Sequence, residues 1–215
     1  MNNKYDLVIW DVDGTLLDTS EGIIASAKYI IEKKGVEVPP NDVLSTFIGP
    51  PLQESFVKVF NVAPETTKAM VNEFRSHYIE YDLLKATAYE GILPLIKDIC
   101  HAGIRQGIAT YKRQDCVDKL LSGFGFDDYV DIIYGSDYEG KLTKKDIIEK
   151  VIKESGCTDL DRIVMIGDSE SDQKGASQIG IDFIGVSYGF GFKRGKDYFF
   201  DVADSVEDMR NLLNV

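Results

Sequence analysis

Four apolar residues, Leu7-Val8-Ile9-Trp10, run directly into Asp11-Val12-Asp13-Gly14-Thr15. An apolar run this short, closed by a turn, reads as a buried strand. Successive side chains of a strand alternate between faces, so Asp11 and Asp13, two apart, point the same way. Two carboxylates at one strand end repel each other, and such a pair survives where a cation or a shared proton offsets the repulsion. Gly14 permits a sharp turn and Thr15 adds a hydroxyl. Within three residues the chain offers a nucleophile, an acid/base and half of a metal site.

After Asp18 the apolar period changes. Ile23, Ala27, Ile30 and Ile31 recur at helical spacing, and Gly35 closes the segment. Asp18 with Glu21 three residues on reads as a capping box. Helical patterns continue over 41–47, 52–60 and 64–84, with Pro51 suited to a first helical turn, and no convincing strand interrupts 17–85. From Gly91 onward helix and strand alternate: helix 91–102, strand 104–109, helix 112–121, strand 130–134, helix 143–154, strand 163–166, helix 171–179, strand 182–186 and a closing helix 205–212. Alternation of this kind predicts a Rossmann-like α/β core, a parallel sheet with helices on both faces. The reading is one core, 1–16 with 86–215, carrying an all-helical insertion at 17–85.

Of 215 residues 44% are apolar, enough for a real core, and the formal net charge is −12. So acidic a chain argues against nucleic acid and against anionic membrane surfaces as partners. No apolar stretch is long enough to span a bilayer and residues 1–6 do not read as a signal peptide, so a cytoplasmic location is expected. Cys100, Cys116 and Cys157 lack any CxxC spacing and are expected to be reduced thiols. His77 and His101 form no metal or triad spacing.

Ligands of open parallel sheets bind at the carboxyl ends of strands. There this chain places Asp11-Val12-Asp13-Gly14-Thr15, Thr110-Tyr111-Lys112 and Gly167-Asp168-Ser169-Glu170-Ser171-Asp172, with Lys141, Lys144 and Lys145 before the helix near 144. Carboxylates, a hydroxyl and an ammonium suit phosphoryl transfer, which depends on positioning and charge neutralisation. A calcium loop is the structural rival for DVDGT, but Gly14 comes too early and no terminal Glu stands at the required offset.

With DVDGT at 11–15, Thr110 after a strand, a lysine near 144 and GDSESD at 167–172, in that order, the chain resembles the haloacid dehalogenase-like hydrolases over essentially its whole length. FIGPPLQESF (47–56) and YGSDYEGKLTKKDII (134–148) look like the phosphoglycolate phosphatase and 5′-nucleotidase-like branches. The resemblance implies that Asp11 is the nucleophile and Asp13 the acid/base, that Thr110 binds a phosphoryl oxygen, and that Lys144 offsets charge. It further implies Mg²⁺ on the Asp11 carboxylate, the Asp13 backbone carbonyl and Asp168, with Asp172 orienting that shell, and it makes 17–85 a cap. Lys144 is preferred to Lys141 and Lys145 because it stands two residues before Asp146, as in the family. Many relatives carry Ser or Asn where this chain has Tyr111, whose backbone amide can still serve and whose ring would line the entrance. Gly14, Tyr111 and Lys112 from the core, with Thr46 and Gly49 from the cap, are the expected substrate contacts.

The expected substrate is a small phosphorylated metabolite, and the expected assembly a monomer or weak homodimer. A 5′-nucleotidase, a sugar-phosphate mutase and a non-catalytic phospholigand sensor stand as alternatives.

Overall fold

The computed structural model describes residues 3–48, 52–138 and 141–215. It divides into two compact units, Met1–Asp18 with Ala88–Val215, and Thr19–Thr87. Each junction falls two residues later than the sequence pattern suggests.

In chain order, β1 (Leu7–Trp10) and β2 (Leu17–Asp18) precede α1 (Ser20–Lys33), α2 (Asn41–Leu44), α3 (Leu52–Phe60) and α4 (Lys68–His77). The chain then runs through β3 (Thr87–Ala88), α5 (Ile92–His101), β4 (Arg105–Arg113), α6 (Gln114–Phe124), β5 (Ile132–Ser136) and α7 (Lys144–Ser155). It closes with β6 (Ile163–Gly167), α8 (Glu170–Ile179), β7 (Asp182–Val186), β8 (Asp201–Ala203) and α9 (Val206–Leu213). A six-stranded sheet has the order β5-β4-β1-β6-β7-β8, and its paired strands run parallel.

Both faces of the sheet are covered, as an all-parallel sheet requires. Leu7 and Ile9 pack on one face with Ile147, Ile148 and Val151 of α7 and Ala176 of α8. Trp10, one position on, faces the other way. Its indole N–H donates to Gln106 Oε1 at 3.1 Å, and Gln106 Nε2 donates to the carbonyls of Ile96 in α5 and Tyr129 at 2.9 and 3.1 Å. Gln106 is thus a buried polar residue with both ends of its amide satisfied, which keeps its desolvation from costing stability. Thr143 and Asp146 form a reciprocal capping box at the start of α7, so the chain enters that helix at a defined residue.

The second unit is helical. Its core gathers Ile23, Ala27, Ile30 and Ile31 of α1 with Phe47, Phe56, Val71 and Phe74, and Phe56 meets Phe47 edge-on at 5.0 Å. Asp82 is buried there, accepting from Ser26 Oγ at 2.6 Å and pairing with Lys85 at 2.8 Å and His77 at 3.3 Å.

Several local expectations are corrected. β4 does not stop at 109 but continues to Arg113, because an irregularity in its pairing with β5 between Ala109 and Arg113 lets the strand go on. Lys112 therefore lies on a strand, not in α6. The segment 64–84 opens as a 3₁₀ turn (Pro64–Thr67) and closes as a π turn (Tyr78–Asp82) around α4. Asp18 is extended in β2, so α1 starts after Thr19 and the Asp18–Glu21 capping box does not form. The short strand β8 has no apolar run to announce it. The expected role of Pro51 lies outside the described residues.

Candidate active site

The site begins with register. Trp10 at the end of β1 pairs with Ile108 of β4 and Ile166 of β6. Asp11, Thr110 and Asp168 lie one or two residues beyond these partners, so three adjacent parallel strands deliver them to the same sheet edge.

Lys144 draws the parts together. Its Nζ lies 2.8 Å from Asp11 Oδ1, 2.6 Å from Asp172 Oδ1 and 2.9 Å from the Ala109 carbonyl oxygen. The side chain is 4% exposed, so these three acceptors replace its hydration. Burial works against the ammonium, but Asp11 and Asp172 outweigh it and hold its pKa above the ordinary lysine range. Burial also drives the Asp11 pKa up, Lys144 pulls it down, and the carboxylates of Asp172, Asp168 and Asp13 push it up again; the net direction is upward.

Asp168 is placed by backbone. Its Oδ2 accepts from the Phe190 and Gly191 N–H groups at 2.7 and 3.3 Å. A Cβ on Gly14, whose φ is +80°, would lie 2.1 Å from that same oxygen, and a Cβ on Gly189 would lie 2.3 Å from the Gly14 carbonyl oxygen. The two glycines let two loops close on one carboxylate. Burial and then Asp172 push the Asp168 pKa up to about 6, against the two amide hydrogen bonds.

Asp172 has both oxygens engaged. Oδ1 faces Lys144, while Oδ2 accepts from the Ser169 N–H at 3.1 Å and the Ser169 hydroxyl at 2.6 Å. Such a carboxylate orients its neighbours. Asp13 pairs with Lys112, Oδ1 to Nζ at 3.0 Å. Thr110 is buried, and its Oγ1 accepts from the Lys112 N–H at 3.2 Å. A hydroxyl that accepts one bond still has its own proton to give. Tyr111 Oη accepts from the Lys144 backbone N–H at 2.9 Å, and its ring centre lies 5.2 Å from Lys144 Nζ.

Carboxylate oxygens of Asp11, Asp168 and Asp172 lie within 4.8 Å of one another, all three side chains buried. The donors are oxygen only, which suits a hard divalent cation. Burial first, and then the neighbouring carboxylates, raise the pKa of Asp11 and Asp168, and the Lys144 ammonium beside Asp11 does not reverse that direction. The residues fit such an ion.

Of the residues expected from sequence, the structure gathers Asp11, Lys144, Asp168 and Asp172 by direct contact or close approach, and ties Asp13, Thr110 and Lys112 together through the Lys112 backbone and side chain. Gly14 contacts Asp168, and Tyr111 contacts Lys144. Thr46 belongs to the helical unit, where its hydroxyl donates to the Val43 carbonyl at 2.7 Å. Gly49 lies outside the described residues. Sequence reasoning missed the Phe190 and Gly191 amides on Asp168; the alternation Gly189-Phe190-Gly191 was the available sign of a close backbone approach.

The family description "Haloacid dehalogenase-like hydrolase" matches residues 8–186. A 5′-nucleotidase of Pseudomonas aeruginosa is 31% identical over 188 residues, covering 87% of this chain and 85% of that protein. The tyrosine-protein kinase PtkA of Mycobacterium tuberculosis is also 31% identical, over 86% of this chain, and the chain spans 63% of PtkA's length. A crystal structure of a phosphatase described as putative, from Clostridium difficile, superposes with a TM-score of 0.88 at 29% identity, covering 99% of this chain and all of that one. The acid-and-lysine site at the sheet edge and these likenesses agree: the chain is an enzyme that belongs to the haloacid dehalogenase-like hydrolases.

Proposed function

We propose that this hydrolase is a Mg²⁺-dependent phosphatase that cleaves the monoester of a small phosphorylated metabolite by way of an aspartyl-phosphate on Asp11. The observation that carries the reading is Lys144 Nζ held between Asp11 and Asp172 at 2.8 and 2.6 Å beside Asp168. A charge-neutralised carboxylate of this kind can accept a dianionic phosphoryl group that an isolated one would repel.

Asp11 attacks phosphorus, a new P–O bond forms, and the bond to the leaving oxygen breaks. Asp13 gives that oxygen a proton, then takes one from the water that attacks the aspartyl-phosphate. Phosphate leaves and the Asp11 carboxylate is restored. The Thr110 hydroxyl donates to a phosphoryl oxygen, and Lys144 balances the charge. Asp11, Asp168 and the Asp13 carbonyl would hold the magnesium, with Asp172 orienting them, and the ion would supply further charge neutralisation. The unit Thr19–Thr87 serves as a cap that chooses the substrate.

The relative named a 5′-nucleotidase makes nucleoside 5′-monophosphates the first substrates to try, and phosphoglycolate and phosphotyrosine complete a short panel. The test is phosphate release from this panel and an aryl phosphate, with Mg²⁺ and with chelator. Turnover with the ion, its loss on chelation and its abolition in Asp11→Asn are expected. Turnover at an unchanged rate in Asp11→Asn removes the proposed nucleophile.

A further inference from the structure

We propose that Tyr111 is a positioning residue for Lys144, holding it from both ends, and is not chiefly a substrate contact. The inference rests on the assignment of Lys144 to the reaction above. Lys144 is the first residue of α7, and the first N–H groups of a helix have no partner within it. Thr143 and Asp146 answer two of the donors at this end, since Thr143 Oγ1 accepts from the Asp146 N–H and the Asp146 carboxylate accepts from the Thr143 N–H. The Lys144 N–H is answered by Tyr111 Oη at 2.9 Å.

The same ring lies against the far end of the same side chain, with Nζ 5.2 Å from its centre. That separation is within the roughly 6 Å over which a ring face attracts a cation. One tyrosine therefore fixes where the lysine starts and where its charge sits. The spacing explains the choice of residue. A serine or asparagine at this position would be too short to reach the helix amide from this strand, and neither has a ring face to lay on the ammonium. Tyr111 is itself delivered by the far end of β4, beyond Ala109, where the pairing with β5 is irregular.

The experiment compares Tyr111→Phe, which keeps the ring and loses the acceptor, with Tyr111→Leu, which loses both. Backbone hydrogen exchange by NMR at the Lys144 amide should accelerate at least tenfold in both variants relative to the native protein. On an aryl phosphate, kcat should fall about threefold in Tyr111→Phe and more than tenfold in Tyr111→Leu, with KM within twofold. A raised KM at constant kcat would make Tyr111 a substrate contact and overturn the proposal. So would unchanged exchange at Lys144 in Tyr111→Phe. The exchange measurement needs no turnover, so a native enzyme that hydrolyses none of the panel would count against the proposed reaction while the role of Tyr111 is still decided.

Discussion

Lys112 Nζ stands 3.0 Å from Asp13 Oδ1, and the lysine side chain is only 6% exposed. A cation this sheltered fixes the direction of its partner more than it greets solvent. Asp13 is the group proposed to hand a proton to the leaving oxygen, so the pair bears on leaving-group chemistry. Lys112→Met should lower kcat about tenfold for an alkyl phosphate, equivalent to roughly 1.4 kcal/mol of barrier. The loss should be much smaller for a nitrophenyl phosphate, whose leaving oxygen hardly needs a proton. Steady-state kinetics on both esters decide it; an equal loss on both would place Lys112 on the phosphoryl charge instead.

Gly14→Ala places a methyl group 2.1 Å from Asp168 Oδ2 at a φ of +80°. Strain at such a position is of the order of 1–3 kcal/mol, and Asp168 must give way. A Mg²⁺ titration of activity should show half-saturation shifted upward at least tenfold, with the denaturation midpoint lowered. An unshifted titration would mean that Asp168 is not needed for the ion.

Cys116 is buried, and burial, against the opposing pull of Lys112, pushes its pKa up to about 11. A thiol raised in the folded state favours folding below its unfolded pKa and loses that contribution as pH climbs through the folded one. The window runs from about 9 to about 11, and the contribution is up to about 2–3 kcal/mol. Thermal scans at pH 8 and pH 10.5 should show a smaller alkaline drop in Cys116→Ala than in the native protein. At pH 8 iodoacetamide should label the exposed Cys100 long before Cys116.

In the helical unit, Asp82→Ala strips Ser26, His77 and Lys85 of their shared acceptor. Burial opposes the charge of Asp82, yet Lys85 and Ser26 bring its pKa below the ordinary carboxylate value. Its contribution is therefore present above about pH 4 and fades as pH falls through the lowered value. Urea unfolding at pH 7 should show a loss of about 2 kcal/mol. The difference between variant and native protein should shrink at pH 3.

Much of this molecule is legible from periodicity. β7 spans the predicted residues, β1 is the apolar run Leu7–Trp10 itself, and β6, α7 and α8 differ from prediction by a residue at one or both ends, because buried apolar runs and helical spacing are local properties. Asp11 and Asp168 could be picked out because strand ends carry chemistry whatever the connecting helices do, and Lys144, at the start of α7, from its place two residues before Asp146, as the resemblance implies. Lys145, the rival next door, instead pairs with Glu149 on the surface at 3.4 Å. Other features depend on chain pieces far apart in sequence. Asp11 and Lys144 are 133 positions apart, and the partner of Asp13 emerged only when β4 continued past its apolar stretch. The amides of Phe190 and Gly191 leave only an indirect trace, the glycines at 189 and 191, because a backbone donor has no side-chain signature of its own. Asp18 failed as a cap because extended pairing competed for the same residue.

The strand order has a consequence for how the chain comes into being. β1 is made first, yet its neighbours in the sheet begin at Arg105 and Ile163, and such distant closures are slow. A nascent polypeptide halted before Lys144 would carry DVDGT without its counter-charge, so chemistry should arrive abruptly once α7 and the segment through Asp172 have been made rather than ripen gradually.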